Sequence, residues 1–574
     1  MKASDYIAEV LSSRGVQSVF EVSGGMITHL LDSIQRQGKI RIVSMHHEQA
    51  AAFAADAAGR ITGVPGVAMA TSGPGATNLL TGIGSCYFDS SPAVFITGQV
   101  NRDEQKGDRK IRQLGFQETD IVAMAGPITK AAWKVKTPAE LPELLQRAFV
   151  LATEGRPGPV LLDIPMDIQR LDISADPLQA VSPEAGARVY PAPSAVRTAL
   201  EQLRSASRPL VLVGGGIRSG RATELLRELV HALGIPVVNS LMAVDVLPCD
   251  HPQRVGLIGT YGNRWANIAL GNSDCLLVLG SRLDVRQTGA DTKAFQLGRS
   301  IIHVDCESGE INNRIGECFA IISTLSEFLK TAVAEASGMQ FPERIEWLTQ
   351  IDEWRKQWPD TLELADAPGI NPNVFMHRLS AESHEAGAYA VDVGQHQMWA
   401  AQSLDLNADQ RFLTSGGMGS MGFGLPAAVG AAWSTTRPVV VVAGDGGFQC
   451  NIQELQTVVR NQLPLKIVII NNLCHGMVRQ FQESYFDSRY QSTLWGYSSP
   501  DFERVAQGYG LRARTIKGPD EMGEAVRWLW QECDGPALLQ VMIDTYSNAY
   551  PKIAFGRPIT EMEPFAKPTK MEST

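Results

Sequence analysis

The stretch that most constrains the fold covers residues 439–472, which read VVVVAGDGGFQCNIQELQTVVRNQLPLKIVIINN. Its four successive valines predict a short strand that is buried on both faces, as in a parallel sheet. Apolar residues at helical spacing follow between 452 and 459, Pro464 ends that helix, and residues 466–470 predict a second buried strand. The stretch is therefore one βαβ unit, whose right-handed crossover brings both strand ends to the same edge of the sheet.

An acid ends the first of these strands and an amide ends the second. Asp445 and Asn472 therefore place two side-chain oxygens at the sheet edge, and the backbone carbonyl of Cys474 can supply a third. Mg²⁺ takes such oxygen ligands together with phosphate oxygens. The glycines around Asp445 allow the backbone and the next helix N-terminus to approach phosphate groups. The unit thus predicts a magnesium–diphosphate site.

The tripeptide Gly-Asp-Gly by itself is also compatible with an ordinary turn. Two buried strands and the Asn-Asn pair at the end of the second strand favour the diphosphate site instead. The whole stretch resembles the thiamine-diphosphate motif of the pyruvate decarboxylase and acetolactate synthase superfamily.

Composition narrows the class of protein further. The 574 residues suffice for three or four domains, and the net charge of −10 argues against nucleic acid as the main partner. The N-terminus is typical of an amphipathic helix rather than a signal peptide, and no apolar stretch reaches the roughly 18 residues that a membrane span needs. Eight scattered cysteines without a C-x-x-C pair indicate reduced thiols in a cytoplasmic protein.

Residues 1–170 alternate predicted helices and strands, and several of the strands end in glycine and polar residues. Gly25 follows the first strand, and the sequence TSGPGATN at residues 71–78 follows a later one. This pattern predicts a doubly wound α/β sheet with a binding site at its carboxyl edge. TSGPGATN could also be a turn and helix cap, although its length and small residues favour a close cofactor contact.

Glu48 follows another of these strands and precedes an alanine-rich helix. One interpretation is a glutamate that stabilises the helix start through the macrodipole. The functional interpretation is a carboxyl group against N1′ of the thiamine aminopyrimidine, where proton exchange begins the chemistry of that cofactor.

The rest of the chain predicts two more α/β domains. We expect a pyrimidine-binding domain at 1–170, a linker at about 171–190, a central domain at 190–335, a diphosphate domain at 370–548 and a tail at 549–574. The central domain contains Gly214-Gly215-Gly216, which resembles a nucleotide-binding turn, but G-x-G-x-x-G spacing fails because residue 219 is serine. Asp305 at a strand end fits a ribose contact and equally fits a surface loop.

Longer motifs extend the resemblance over nearly the whole chain. HEQAAAFAADAAGRITGVPGV, GFQETD, GRPGPVLLDIP, DVGQHQMWAAQ, LTSGGMGSMGFGLPAA and NIQELQTVVRNQLP are similar to the catalytic subunit of the acetohydroxyacid synthase (acetolactate synthase) family. The resemblance implies three doubly wound α/β domains that bind thiamine diphosphate, Mg²⁺ and FAD. It also implies a homodimer or homotetramer, with Glu48 from one subunit meeting Asp445 and Asn472 of another. The implied reaction decarboxylates pyruvate and joins the two-carbon unit to a second carbonyl compound.

The resemblance assigns roles to matched residues. For thiamine diphosphate it implies Gly25, Thr71, Pro74, Asn78, Gln395, His396, Gln397, Gly419, Met421, Gly444, Gly446, Gly447 and Met477. For FAD it implies Arg156, Gly214, Gly215, Arg282, Asp284 and Asp305. Phe116 and Gln117 would line the reacting centre, and Arg286 would reach toward a substrate carboxylate.

The departures from the family pattern fall around the acceptor pocket. Met166 stands where the family usually has lysine, Thr260 where it has methionine, and Phe481, close to Val478, where biosynthetic members have tryptophan. Two acceptors therefore remain open. One is a second pyruvate, which gives acetolactate. The other is a ketone such as a keto-deoxysugar nucleotide, as in the yersiniose-type carboligases, whose tail the sequence PKIAFGRPITEMEP resembles. A non-enzymatic alternative is a sensor that kept the fold, although Glu48, Asp445 and Asn472 together argue against it.

Overall fold

A computed structural model describes residues 1–174 and 189–569. Most of the expected linker at 171–190, and the last five residues of the expected tail, lie outside the described residues. Within the described residues the chain forms three six-stranded parallel sheets and one short antiparallel hairpin. The fold is therefore the α/β fold of three doubly wound domains that the sequence predicts.

The first sheet has the strand order β2-β1-β3-β4-β6-β5. Its strands are β1 (Ser18–Val22), β2 (Arg41–Ser44), β3 (Gly66–Ala70), β4 (Ala93–Gln99), β5 (Ala131–Lys134) and β6 (Pro159–Pro165). Its helices are α1 (Ala3–Ser13), α2 (Thr28–Gln37), α3 (Glu48–Thr62), α4 (Pro74–Asn78), α5 (Leu80–Asp89), α6 (Ile121–Ala125), α7 (Leu141–Thr153) and α8 (Met166–Arg170). Chain order reverses between β1 and β3, so a crevice opens beyond their carboxyl ends.

The central sheet has the strand order β12-β11-β10-β7-β8-β9. Its strands are β7 (Pro209–Val213), β8 (Val237–Asn239), β9 (Arg254–Leu257), β10 (Cys275–Leu279), β11 (Ser300–Asp305) and β12 (Phe319–Ile322). The helices are α9 (Pro193–Ser205), α10 (Gly216–Ser219), α11 (Thr223–Leu233), α12 (Arg264–Asn272), α13 (Val285–Thr288), α14 (Thr292–Gln296) and α15 (Leu325–Ala336), and α16 (Ile345–Gln357) leads to the third domain. Here the order reverses between β7 and β10.

The third sheet, β14-β13-β15-β16-β18-β17, repeats the topology of the first. Its strands are β13 (Ala388–Val391), β14 (Arg411–Thr414), β15 (Val439–Gly444), β16 (Leu465–Asn471), β17 (Arg512–Ile516) and β18 (Ala537–Met542). Its helices are α17 (Pro372–Glu382), α18 (Gln395–Ser403), α19 (Gly424–Ala432), α20 (Asp445–Gln449), α21 (Leu455–Arg460), α22 (Gly476–Tyr485), α23 (Phe502–Gly508) and α24 (Met522–Leu529). The βαβ unit at residues 439–472 is β15–α20–α21–β16, and the carboxyl end of β15 lies at the reversal between β13 and β15.

The end of the chain returns to the central domain. Strands β19 (Lys552–Ile553) and β20 (Met562–Glu563) pair antiparallel, and Lys552 forms a buried ion pair with Glu563 at 2.9 Å. The guanidinium of Arg264 on α12 donates to the backbone oxygens of Met562 and Glu563, at 3.4 and 3.0 Å. The expected tail is thus, as far as residue 569, a docked hairpin.

Helices α3 and α19 hold the first and third domains together. One continuous apolar core contains the alanines of α3 and those of α19. Phe53 and Phe423 meet edge to face at 5.4 Å beside this contact. At its closest point a Cβ added to Gly430 would lie 2.0 Å from the carbonyl oxygen of Ala54, so only glycine fits there. This packing fixes the helix that begins at Glu48.

We expect Gly430→Ala to lower thermal stability, because the added methyl group must push α3 away from α19. Overpacking of this kind costs about 1–3 kcal/mol, which outweighs the gain in helix propensity of about 1 kcal/mol. The measurement is the melting temperature. Gly508→Ala is the matched control, since a Cβ at that helical glycine meets nothing within 4 Å. Equal melting temperatures for the two variants would contradict the close-contact argument.

Candidate active site

The residues expected around the aminopyrimidine come together at the reversal of the first sheet. Glu48 is buried at the first position of α3, and the Nδ2 of Asn78 donates to its Oε2 at 2.9 Å. Thr71 follows β3 and accepts a hydrogen bond from the backbone of Met26 through Oγ1, at 3.3 Å. Pro74 begins α4, and Gly25 lies exposed after β1. The carboxyl group therefore lies among polar neighbours at the edge of the sheet.

Two residues of the third domain fix the turn that leads into Glu48. Glu454 accepts a hydrogen bond from the backbone N–H of His46 at 2.9 Å, and Asn451 donates to Gln49 at 3.2 Å. Sequence reasoning missed Glu454 because its partner lies about 400 residues away. These contacts hold His46, two positions before Glu48, and Gln49, the residue after it.

The residues expected at the diphosphate come together at the reversal of the third sheet. Asp445 is buried, and the hydroxyl of Tyr497 donates to its Oδ2 at 2.8 Å. Burial raises the pKa of the Asp445 carboxyl to about 6, so a neighbouring cation would stabilise its charged form. Asn472 donates to Gln395 through Nδ2 at 3.1 Å and accepts from the backbone of Cys474 through Oδ1 at 3.3 Å. Tyr497 lies in a loop and carried no sequence signal.

The space at the glycine turn and the ring nitrogen of His396 bear on whether a ligand fits here. A Cβ at Gly444 would lie 2.7 Å from the ring of His396, and one at Gly446 would lie 2.6 Å from the ring of His475. Burial lowers the pKa of His396 to about 3, and its Nε2 has no hydrogen-bond partner among the described residues. A neutral ring nitrogen without a hydrogen-bond partner in the described parts of the chain lies next to a strand end whose glycines carry no side chain. Such a place fits a bound diphosphate cofactor.

The other residues expected around the cofactor have mixed surroundings. Gln397 is buried and donates to the Oγ1 of Thr414 at 2.7 Å, and Gly447 packs against Asp392. Met477 is half-buried near the start of α22. Met421 is 38% exposed and Gly419 has a φ of +68°, so this loop presents an apolar side chain to the surface.

Among the described residues, the Glu48 group and the Asp445 group make no direct contact with each other. In the described parts of the sequence, no hydrogen bond, ion pair or ring contact links Glu48 or Asn78 to Asp445 or Asn472. The third domain reaches the first group only through the turn around Glu48, by way of Glu454 and Asn451.

The residues expected at FAD surround a cavity at the reversal of the central sheet. Its lining includes Gly215, Arg282, Asp284 and Asp305, together with Arg156 of the first domain. The turns after β7 and β10 meet backbone to backbone, because a Cβ at Gly214 would lie 2.1 Å from the oxygen of Gly280. Arg156 is held by Glu307 and Glu310, at 2.8 and 2.6 Å. A glycine-walled cavity at the switch point fits a nucleotide cofactor.

The residues expected at the acceptor lie in three places. Thr260 donates to the backbone oxygen of Arg286 through both N–H (2.6 Å) and Oγ1 (3.1 Å). Phe481 packs on Tyr485 and Phe486, with ring centroids 4.8 and 5.8 Å apart, and Val478 on the same helix is 52% exposed. The third place is the first domain, which contributes Met166 at the start of α8, Phe116, which is 79% exposed, and Gln117.

Comparison with known proteins decides the family. Family models match three segments, described as the N-terminal TPP binding domain (1–124), the central domain (196–332) and the C-terminal TPP binding domain (392–541) of thiamine pyrophosphate enzymes. The chain belongs to the thiamine pyrophosphate enzyme family.

Curated relatives give a finer placement within this family. The chain is 36% identical over 571 residues to the acetolactate synthase large subunit of Pyropia yezoensis, covering 97% of this chain and 94% of that protein. It is 37% identical over 566 residues to the acetolactate synthase isozyme 2 large subunit of Escherichia coli (strain K12), covering 98% and 99%. It is therefore a thiamine-diphosphate-dependent enzyme of the acetolactate synthase large-subunit type. No helix in the described residues is long and apolar enough to cross a membrane.

Asp392 is a further residue of this thiamine pyrophosphate enzyme that sequence reasoning left without a role. It directly follows β13, is fully buried, and accepts N–H groups of Val393, Gly422 and Gly424 at 2.7, 3.0 and 2.8 Å. It thereby shapes the loop that carries Gly419 and Met421. An acid at a strand end was the available signal, as at Asp445.

Asp392→Asn should destabilise this loop, because the amide NH₂ would face a backbone N–H in place of a carboxylate oxygen. We expect a loss of about 1–3 kcal/mol in stability and weaker thiamine diphosphate binding. Thermal melting and cofactor titration measure the two effects. Asp352→Asn on the surface of α16 is the control for the change of charge. Cofactor affinity equal to that of the control would mean that Asp392 does not shape the site.

Proposed function

We propose that this protein decarboxylates pyruvate and joins the remaining two-carbon unit to a second carbonyl compound, with acetolactate as the nominal product. The observation that carries the proposal is the buried carboxyl group of Glu48 at the switch point, with its orientation fixed by Asn78. The names of the similar acetolactate synthase subunits support the same reaction. A sensor without chemistry would not need this carboxyl group together with Asp445 and Asn472.

Thiamine diphosphate, when bound, supplies the electron sink that the loss of carbon dioxide from a 2-keto acid requires. We propose that Asp445, Asn472 and the carbonyl of Cys474 hold Mg²⁺ for its diphosphate, and that Gly444, Gly446 and Gly447 leave room for the phosphates. Glu48 would hold and move the proton at N1′ of the pyrimidine. The bulky side chain of Met421 would support the cofactor from below.

We further propose that the complete site forms between two copies of the chain, in a homodimer or homotetramer. Support comes from the lack of a direct contact between the Glu48 and Asp445 groups among the described residues of one chain. The exposure of apolar residues beside both groups also fits, with Phe116 at 79% and Val478 at 52%. A cytoplasmic location is in keeping with eight free cysteines.

Glu48→Gln tests the mechanism. Glutamine keeps the shape and can still accept from Asn78, but it cannot exchange a proton, so pyruvate decarboxylation should fall by about 100-fold or more. Thiamine diphosphate binding should persist, and Asp445→Ala should instead lose metal and cofactor together. Carbon dioxide release and cofactor titration measure these effects. Glu228→Gln on the exposed side of α11 is the control, and near-normal turnover by Glu48→Gln would refute the assignment.

We propose that FAD occupies the central cavity in a structural role. Gly215→Val would fill that cavity, since even a Cβ at this position lies 3.0 Å from the Cβ of Met242. We expect the purified variant to lose the visible absorbance of flavin and to retain thiamine diphosphate. Gly316→Val is the control, because a Cβ there meets nothing within 4 Å. A wild-type protein that is colourless and takes up no FAD on titration would overturn this assignment.

A second candidate differs only in the acceptor. A ketone such as a keto-deoxysugar nucleotide would replace the second pyruvate, as in yersiniose-type carboligases. The observation that favours it is the aromatic group of Phe481, Tyr485 and Phe486, in which Phe481 and Phe486 are 39% and 45% exposed. Methionine at position 166, where the family resemblance implies lysine, fits the same acceptor. Both features suit a bulkier acceptor, whereas the guanidinium of Arg286 still suits a keto acid.

A further inference from the structure

The loop between β4 and α6 carries a cluster of positively charged side chains at its tip. Residues 106–114 read KGDRKIRQL and contain four cations, Lys106, Arg109, Lys110 and Arg112, against the single carboxylate of Asp108, a local charge of 4 − 1 = +3. Most of this segment is exposed. The whole loop, residues 100–120, also carries Arg102, Asp103, Glu104, Glu118 and Asp120, so its five cations and five carboxylates balance, and the positive charge is confined to the tip at residues 106–112.

One carboxylate binds backbone N–H groups at both ends of this cationic loop. Glu118 accepts the backbone N–H of Lys106 through Oε1 at 2.7 Å and that of Leu114 through Oε2 at 2.9 Å. Gln113 also donates to the backbone oxygen of Glu118 at 3.0 Å. The loop is therefore a built structure that presents its cations from a fixed base.

The cations on the loop are available to a ligand. The side chains of Lys106, Lys110 and Arg112 form no ion pair or hydrogen bond with any described residue, and Arg109 donates only to the backbone oxygens of Gln105 and Lys106, at 3.1 and 3.2 Å. By contrast, Arg102 just before the loop is paired with Asp167 at 2.7 Å. Positive charge without carboxylate partners is what an anionic ligand requires.

The end of the loop lies against the Glu48 group. A Cβ at Gly73 would lie 2.9 Å from the Cβ of Gln117, and one at Gly75 would lie 3.4 Å from Oε1 of Glu48. Gln117 itself is held at a φ of +68°, a left-handed conformation that residues other than glycine keep only where the surroundings impose it. Phe116 beside it is exposed. The loop thus connects its cations to the edge of the expected reacting centre.

We propose that this loop binds the phosphate or diphosphate group of the acceptor ketone. The inference rests on the proposed function and names the acceptor class for that same site. A keto-acid acceptor brings one carboxylate, for which one guanidinium suffices, whereas a phosphate brings about −1.5 to −2 charges and three acceptor oxygens. Nucleic acid would need basic residues spread over a whole face, and this charge is confined to one loop.

The reaction balances without an oxidant or reductant. The bond between the carboxylate and keto carbons of pyruvate breaks and carbon dioxide leaves. A new carbon–carbon bond joins the acetyl carbon to the ketone carbon, and the ketone oxygen takes up one proton to become a tertiary alcohol. The phosphate group of the acceptor is unchanged, so its role is binding alone.

The experiment gives the holoenzyme pyruvate with three acceptors, namely a nucleoside-diphosphate-linked 4-keto-6-deoxyhexose, the corresponding sugar 1-phosphate and the free sugar. Products are identified by mass, and the KM of each acceptor is measured at low and high salt. We expect the phosphorylated acceptors to have a KM at least about tenfold below that of the free sugar, with a difference that shrinks as salt screens the charges. The first two acceptors show whether one phosphate is enough or the diphosphate is needed.

The deciding variant is Lys106→Ala/Lys110→Ala/Arg112→Ala. It should raise the KM of the phosphorylated acceptors about tenfold or more, as expected for lost charge-assisted contacts, and that of the free sugar less than about twofold. Arg204→Ala/Lys293→Ala/Lys356→Ala removes the same charge from exposed positions on α9, α14 and α16 and should change neither value.

Two results would overturn the proposal. One is an equal change of KM for free and phosphorylated acceptors in the loop variant. The other is a wild-type enzyme that releases carbon dioxide but forms acetolactate alone in the presence of all three sugars. In that second case the proposed function would still stand, because only a wild type that releases no carbon dioxide from pyruvate would refute it.

Discussion

The packing of α3 against α19 is the constraint on which the rest of the site depends. Glycine at position 430 lets α19 approach the backbone of α3 at Ala54, and the small side chains on both helices make the contact continuous. Glu48 begins one of these helices, and the loop that Asp392 shapes leads into the other. A single helix pair therefore fixes the entry points of both halves of the site.

The first and third domains share the same sheet topology. Each sheet reverses its chain order after its first strand, and each reversal collects glycine turns and polar strand ends in one crevice. The central sheet opens its own crevice between β7 and β10, where glycines from two turns meet. Asp245 ties this domain to the third, accepting from Arg218 at 3.1 Å and Arg411 at 2.8 Å. The sites thus follow from topology, and their differences follow from the residues at the strand ends.

Much of the fold could be predicted from the sequence, because the patterns that predict its strands, helices and turns are local. The valine run and the glycines after it predict β15 and the turn at Asp445, and helical spacing predicts the crossover between β15 and β16. The alternation of strands and helices predicts three doubly wound domains. Strand-end residues such as Thr71, Asp445 and Asn472 could be proposed as site residues because parallel strands share a carboxyl edge.

The sequence by itself determined the fold class, the βαβ unit and the residue types at the strand ends, since these depend on hydrophobic period and turn chemistry. Only the tertiary structure decided which distant groups meet: Tyr497 with Asp445, Glu454 with the turn before Glu48, and Glu118 with both ends of the cationic loop. Such contacts join residues through folded loops and helix ends, where no periodic pattern records the partner. Their geometry is set by the packing of whole domains, and a local stretch of sequence carries no information about that packing.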